Sequence, residues 1–215
     1  LATVEVYSPK TNSWRSCTPM NQRRFAAVAV VVGGRLVVAG GDRVLENVGC
    51  RLSSVEACTG TGWNPLPRMP HKALLATACV LNGRLYVMGG HGSNRLQVLE
   101  MTEENGLSWS CKADLPARRH GAASAVHEGR IWVMGGWVNG ETSSVITYDP
   151  ESDTWEAGPS LPSACRSCCA ATIEGDAGGL LCHGSSGAFL YRNAAWAVFA
   201  GDFPLHATLG SLLLG

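Results

Sequence analysis

Apolar positions along this chain gather into short runs separated by glycines and polar turns, and the runs recur. The phrase RLVVAGG at Arg35–Gly41 returns as RLYVMGG at Arg84–Gly90 and as RIWVMGG at Arg130–Gly136. In the last of these, Ile131 and Val133 alternate with Trp132 and Met134. Both faces of the predicted strand are apolar, so both should be buried, as in a sheet sandwiched between neighbouring sheets. Ahead of each phrase lies a run rich in small residues (AAVAVVV, LATACVL or GAASAVH), which predicts a preceding strand. Gly33-Gly34, Asn82-Gly83 and Glu128-Gly129 join the two; Asn-Gly and Gly-Gly favour the positive φ of a tight hairpin turn. A third strand is predicted at SSVITYDP, matched by TVEVYSP near the start of the chain, and a fourth begins at a tryptophan. The polar turns DPESDT and SPKTNS separate Tyr148 from Trp155 and Tyr7 from Trp14.

The tryptophans set the period. Trp14, Trp63, Trp109 and Trp155 are spaced by 49, 46 and 46 residues. Six residues after each stands Met20, Met69, Leu115 or Leu161, and fourteen after those Gly34, Gly83, Gly129 or Gly175. Landmarks that hold register through four units define an internal repeat. The units fall at 20–68, 69–114, 115–160 and 161–202, with a remnant at 1–19 and the start of a further unit at 203–215. Two units depart from the pattern. VEACTGTGW lacks the Tyr-x-Pro turn, and the last unit puts His183-Gly184 in place of the glycine pair and is expected to shorten its third strand.

Physical roles follow from the pattern. The glycines are expected to let the chain leave the second strand with unusual φ, or to let backbones approach closely. The tryptophans should fill the wedge between adjacent sheets, where a large apolar body buries much area. Small residues suit the crowded innermost strand.

A four-stranded unit of this length resembles the kelch repeat. The glycine pair, the YDPESDTW phrase and a tryptophan followed by Met-Pro or Leu-Pro carry the resemblance, which covers nearly the whole chain. It implies an all-β fold: a kelch-type β-propeller of four-stranded antiparallel blades, here an incomplete ring of about four blades with partial strands at each end.

Composition narrows the function. The chain has 215 residues, enough for a sizeable core. Its 17 Lys and Arg balance 17 Asp and Glu, which gives no bulk attraction to nucleic acid or membrane. No apolar run approaches the roughly 18 residues of a membrane-spanning helix. Nine cysteines without an evenly spaced framework point to reduced thiols, hence a cytoplasmic location. The sequence begins without Met inside a strand-like pattern, as an excerpt from a longer chain would. Cys165, Cys168, Cys169, Cys182 and His183 invite a zinc reading, but the paired spacing of a four-ligand site is missing. Cys168, Cys169 and Cys79 instead fill the small slots of Ala122, Ala123 and Ala125. No metal or cofactor is expected, and neither G-x-S-x-G nor H-E-x-x-H occurs.

The segments joining one unit to the next carry the better signal. The twelve residues from each tryptophan hold nine of the 17 basic residues, opposed only by Asp114 and Glu156. Arg23, Lys72 and Arg118 coincide in register, with Arg24, Arg119 and Arg166 beside them. These bases are expected to gather at one face or to hydrogen-bond turn carbonyls of a neighbouring blade. The loops after the glycine pairs vary most and add Asp42, Arg43, Asn94, Arg95, Trp137 and Asn139, with Trp137 as an exposed aromatic anchor. The resemblance implies a non-catalytic module binding a protein or an acidic or phosphorylated peptide. Such a module serves as a substrate receptor of cullin-type ubiquitin ligase adaptors or as a cytoskeletal scaffold. The rival class is a propeller enzyme resembling galactose oxidase or a sialic-acid mutarotase. Open blade edges are expected to favour association.

Overall fold

The computed structural model describes residues 1–45, 48–102, 106–173 and 178–199, and among these there are strands and turns but no helix. The chain opens with a hairpin, β1 (Val4–Ser8) and β2 (Ser13–Cys17). Blade I follows as β3 (Val28–Val32) and β4 (Arg35–Ala39), an inserted hairpin of β5 (Asp42–Leu45) and β6 (Val48–Arg51), then β7 (Val55–Cys58) and β8 (Trp63–Leu66). Blade II comprises β9 (Thr77–Leu81), β10 (Arg84–Met88), β11 (Leu96–Thr102) and β12 (Gly106–Lys112). Blade III comprises β13 (Ala123–His127), β14 (Arg130–Met134), β15 (Val145–Asp149) and β16 (Thr154–Gly158). Blade IV comprises β17 (Cys169–Ile173), β18 (Gly179–Gly184), β19 (Gly187–Arg192) and β20 (Ala195–Val198). All pairings are antiparallel and, apart from β4 with β7 across the inserted hairpin, consecutive, so each blade is a meander. The innermost strands β3, β9, β13 and β17 line a central channel with their small residues, among them Ala29, Ala78, Ser124 and Ala171.

Alternation along the second strand of each blade explains why both its faces are apolar. Leu85 and Val87 of β10 pack toward blade I with Val37, Val55 and Met69. Tyr86 and Met88 turn the other way, toward Ile131, Val133 and Tyr148 of blade III. In β14, Trp132 and Met134 face blade IV with Leu180, Cys182 and Phe189. A strand whose two faces enter two different cores has no polar side, and each large side chain so buried contributes about 1.5–3 kcal/mol. Blade I is closed on its other flank by the N-terminal hairpin, where Val4 and Ala2 pack with Met20, Val38 and Trp63.

The tryptophans do more than fill wedges. Trp63, Trp109, Trp155 and Trp196 donate their indole N–H groups to the carbonyls of Thr18, Pro67, Ala113 and Pro159 at 2.8–2.9 Å. Each acceptor lies four residues after the preceding unit's tryptophan, so every blade is bonded to the one before it. Trp196 also belongs to this series. Its hairpin turns through Asn193 and Ala194, both with positive φ, and this turn together with the short one between β18 and β19 puts it out of the regular spacing. Tyrosine and tryptophan face each other in three hairpins, at 5.2 Å for Tyr7–Trp14, 5.0 Å for Tyr148–Trp155 and 5.2 Å for Tyr191–Trp196.

Two expectations are corrected. The third strand of the last unit is not shortened: β19 has 6 residues, and the economy lies in the turn from β18, which uses only Ser185 and Ser186. The stretch after the first glycine pair is not an open loop but the β5–β6 hairpin. Gly175 and residues 203–215 lie outside the described residues.

Candidate interaction face

The segment linking each fourth strand to the next innermost strand crosses one end of the molecule from rim to channel. Its register, counted from the tryptophan, assigns a role to each side chain. The sixth residue (Met20, Met69, Leu115 or Leu161) is buried, and its N–H bonds to Ala2, Ser53, Asn94 or Ser143 respectively. The ninth is exposed and is Arg23, Lys72 or Arg118 in the first three linkers. The tenth is buried: Arg24, Ala73, Arg119 or Cys165. Its carbonyl in the later three linkers accepts the N–H of the second glycine of the preceding blade, Gly41, Gly90 or Gly136, at 2.6–2.7 Å. The twelfth residue has left-handed backbone in every linker: Ala26 (φ 50), Leu75 (φ 55), Gly121 (φ 60) and Ser167 (φ 50).

The glycine pairs are explained by the same traffic. At Gly136, φ is 90° and a Cβ would fall 2.8 Å from the His120 carbonyl of its own linker. At Gly135 a Cβ would fall 2.5 Å from the Cys165 carbonyl of the following linker. One glycine therefore makes room for the blade's own linker and the other for its neighbour's.

Adjacent arginines meet opposite fates, and Arg24, Arg119 and Asp42 are corrected as surface contacts because all three are buried. Arg24 donates from Nε to Glu56 at 3.1 Å and from Nη1 to the carbonyls of Gly40 and Ser54 at 2.7 and 2.9 Å. Arg119 makes the same clasp in blade III, to Gly135 and Ser144 carbonyls at 2.6 and 3.0 Å and to the Ser144 hydroxyl at 2.7 Å. Among the described residues no carboxylate pairs with Arg119, because Ile146 occupies the place of Glu56, and its Nε has no acceptor among them. Burial lowers the pKa of both guanidinium groups, opposed at Arg24 by Glu56. Asp42 bridges to Phe25 through the backbone, with its carboxylate oxygen Oδ1 unpaired.

The remaining sequence candidates divide by partner. Arg95 pairs with Asp114 at 2.7 Å and Arg166 with Glu141 at 2.9 Å, so both charges are matched at the surface. Asn94 is half-buried and donates to the Leu115 carbonyl at 3.2 Å. Arg43 is half-buried with an unpaired Nε, and Asn139 is exposed at φ 55. Trp137 is 39% exposed and exchanges backbone hydrogen bonds with His120. Arg23, Lys72 and Arg118 are exposed, with no carboxylate within ion-pair distance among the described residues.

A cluster absent from the sequence reading joins Trp137. Its ring lies 6.3 Å from that of His120, which lies 5.3 Å from His91. The Nδ1 of His91 is 2.7 Å from Arg51 Nη2. A guanidinium can only donate, so Nδ1 accepts. Burial, reinforced by His91, lowers the pKa of His120. Leu75 (40% exposed) lines the channel mouth, and Phe25 (42%) is exposed next to the lining residue Ala26. The signal in the sequence was register: His120 and Phe25 both stand eleven residues after a tryptophan. Among the described residues no group of three or more His, Cys, Asp or Glu side chains is arranged to hold a metal ion. No helix among them is long and apolar enough to cross a membrane.

Comparison with known proteins agrees with this architecture. The Kelch motif matches residues 1–21, 73–101 and 118–162. Kelch-like protein 23 of Homo sapiens is 32% identical over 91 residues, 42% of this chain and 16% of that protein. Kelch-like protein 33 of Homo sapiens is 36% identical over 95 residues, 43% of this chain and 17% of that protein. The matched stretch thus spans about a sixth of the length of these curated relatives. A solved structure titled "Structure of YjhT" superposes with a TM-score of 0.73 at 14% identity, over 92% of this chain and 75% of that one. Motif, blade meander and interblade bonding coincide: the chain is a kelch-repeat β-propeller.

Proposed function

We propose that this propeller is a protein-interaction module whose linker face docks an acidic or phosphorylated segment of a partner. The observation that carries the reading is the trio Arg23, Lys72 and Arg118, exposed at equivalent positions and unmatched by carboxylates among the described residues. Buried Arg24 and Arg119, one residue after Arg23 and Arg118, hold their blades, and buried Ala73 follows Lys72. Guanidinium and ammonium groups pair with carboxylates or phosphates through charge-assisted hydrogen bonds, the stronger kind. Trp137, flanked by His120, offers an apolar anchor beside them.

The similarity to Kelch-like proteins extends the proposal to a substrate receptor of a cullin-type ubiquitin ligase adaptor, acting in the cytoplasm, where nine free thiols would stay reduced. Recovery of a cullin with the full-length protein tests that extension. Tyr7 and Trp14, paired across the N-terminal hairpin with rings 5.2 Å apart, expose an apolar face through which isolated segments are proposed to associate. Sedimentation of the isolated segment as a monomer at every concentration would exclude this.

The docking face is tested with fluorescein-labelled glutamate-rich and phosphoserine peptides in fluorescence polarisation. Binding should weaken as salt rises, because the field is screened over about 8 Å at physiological strength. Replacing Arg23, Lys72 or Arg118 by Ala should weaken it further without moving the melting temperature. A contact that is desolvated on binding would cost on the order of 2–5 kcal/mol. Binding that ignores both salt and the three substitutions overturns the proposal.

A further inference from the structure

Three thiols outside the docking face converge at the seam between blades III and IV. Cys165, Cys168 and Cys182 share one core with Met134, Leu161 and Phe189. The sulfurs of Cys165 and Cys168 are 3.2 Å apart. A Cβ at Gly184 would fall 2.5 Å from one of these sulfurs and 3.0 Å from the other, so this glycine is what leaves room for both. The linker that carries them is held to blade III on both sides. Cys165 donates to the Thr142 carbonyl at 3.2 Å and accepts from Gly136 at 2.7 Å, while Cys168 donates to the Gly121 carbonyl at 3.2 Å. Between the two cysteines, Arg166 and Ser167 are exposed, and Ser167 has left-handed backbone. The sulfurs therefore lie one layer beneath solvent.

We propose that Cys165 and Cys168 form a site of oxidative modification, a dithiol that a small-molecule disulfide such as oxidised glutathione closes to an intrachain disulfide. A disulfide needs its sulfurs at about 2.05 Å, so roughly 1 Å of approach completes the bond. The thiol of Cys168 loses its proton to solvent, and the thiolate attacks one sulfur of the small disulfide. That breaks the small molecule's S–S bond and expels one thiolate, leaving Cys168 as a mixed disulfide. The thiolate of Cys165, deprotonated in turn, attacks the Cys168 sulfur and expels the second small thiolate, and the two released protons balance the two thiolates. The protein dithiol gives up two electrons, and one small disulfide becomes two thiols.

Cys168 is the first nucleophile because it keeps 7% exposure where Cys165 has none. Contact with Cys165 lowers the pKa of Cys168, but contact with Cys182 and burial outweigh it and leave the group at about 12. Contact with Cys168 and burial raise that of Cys165. Closure is accordingly slow in the resting protein and speeds up when the seam opens.

The experiment incubates the folded protein with oxidised glutathione, traps remaining thiols with an alkylating agent and maps cysteines by mass spectrometry without reduction. The peptide spanning Cys165 and Cys168 is expected to lose two hydrogens and to escape alkylation, while exposed Cys111 carries a glutathione adduct. In Cys165→Ser the reaction should stop at a glutathione adduct on Cys168. A Cys111→Ser protein, altered only at the surface, should close the same disulfide. Full alkylation of Cys165 and Cys168 in the wild-type protein under conditions that modify Cys111 overturns the proposal. So does a bond from Cys168 to Cys182 in place of Cys165.

Discussion

Arg118 and Arg119 are neighbours in sequence with opposite duties, and separating them is the sharpest check on the linker register. Arg119→Met keeps the aliphatic stem and removes three hydrogen bonds, to the Gly135 and Ser144 carbonyls and the Ser144 hydroxyl. Hydrogen bonds from a charged donor contribute about 1.5–3 kcal/mol each, and a buried carbonyl left unpaired costs a further 1–3 kcal/mol. Against this, the guanidinium lies buried without a carboxylate, as its lowered pKa records, so removing it also relieves a desolvation cost. The net loss should be about 2–4 kcal/mol. For a domain of this length that is roughly 5–15 °C in melting temperature. Arg118→Ala, at an exposed position, should stay within about 0.5 kcal/mol of wild type and reduce binding of acidic peptides instead. Arg24→Met should be the worst of the three, because it strands buried Glu56, a loss of about 3–5 kcal/mol. Thermal melts by circular dichroism read all three. Equal destabilisation by Arg118→Ala and Arg119→Met would refute the register and the role of the tenth residue.

Three further outcomes are expected. Trp155→Phe keeps most of the apolar body but loses the N–H bond to the Ala113 carbonyl, costing about 1 kcal/mol in denaturant titration, whereas Trp14→Phe, at a ring 64% exposed, should be silent; equal effects would refute the bonding series. Gly136→Ala should destabilise well beyond the roughly 1–2 kcal/mol of a left-handed backbone, because its Cβ would strike the His120 carbonyl at 2.8 Å, while Gly34→Ala, at φ 75 in open space, should cost only the backbone penalty. Because folding lowers the pKa of His120, the native state favours the neutral ring: its stabilisation is complete above the unfolded value near 6.5 and is lost as pH falls through the lower folded value. Imidazole NMR titration should place His120 below 6.5, and His120→Gln should flatten the loss of stability on acidification.

The repeat was legible because it was written in residues with few substitutes. A strand buried on both faces must be apolar throughout, and Tyr86 and Trp132 fit that template as plainly as valine does. The site was less legible because exposure changes between consecutive linker positions, and no local pattern distinguishes Arg23 from Arg24 or Arg118 from Arg119. What separates them is a long-range fact: the guanidinium at the tenth position reaches carbonyls 16 residues downstream at Gly40 or Gly135. Register alone would have hinted at it, since Ala73 and Cys165 in the same slot are residues of the interior. Trp196 escaped because both turns ahead of it, at Ser185-Ser186 and at Asn193-Ala194, are short, and a fixed period cannot follow shortened turns.

The indole bonds give the assembly a grammar. Trp63, Trp109, Trp155 and Trp196 each donate to a carbonyl four residues after the preceding tryptophan, so each of these donors is answered by the unit before. A segment of one period can therefore be duplicated or excised at any phase, and every remaining indole still meets a carbonyl. A cut that is out of phase parts an indole N–H from its carbonyl, and at Trp63, which is 6% exposed, that strands a largely buried donor, which folded proteins rarely tolerate. Blade number is thus free to change by whole units in a single genetic event, while fractional changes are penalised at once. The chemistry of one hydrogen bond, repeated, makes the length of this protein countable.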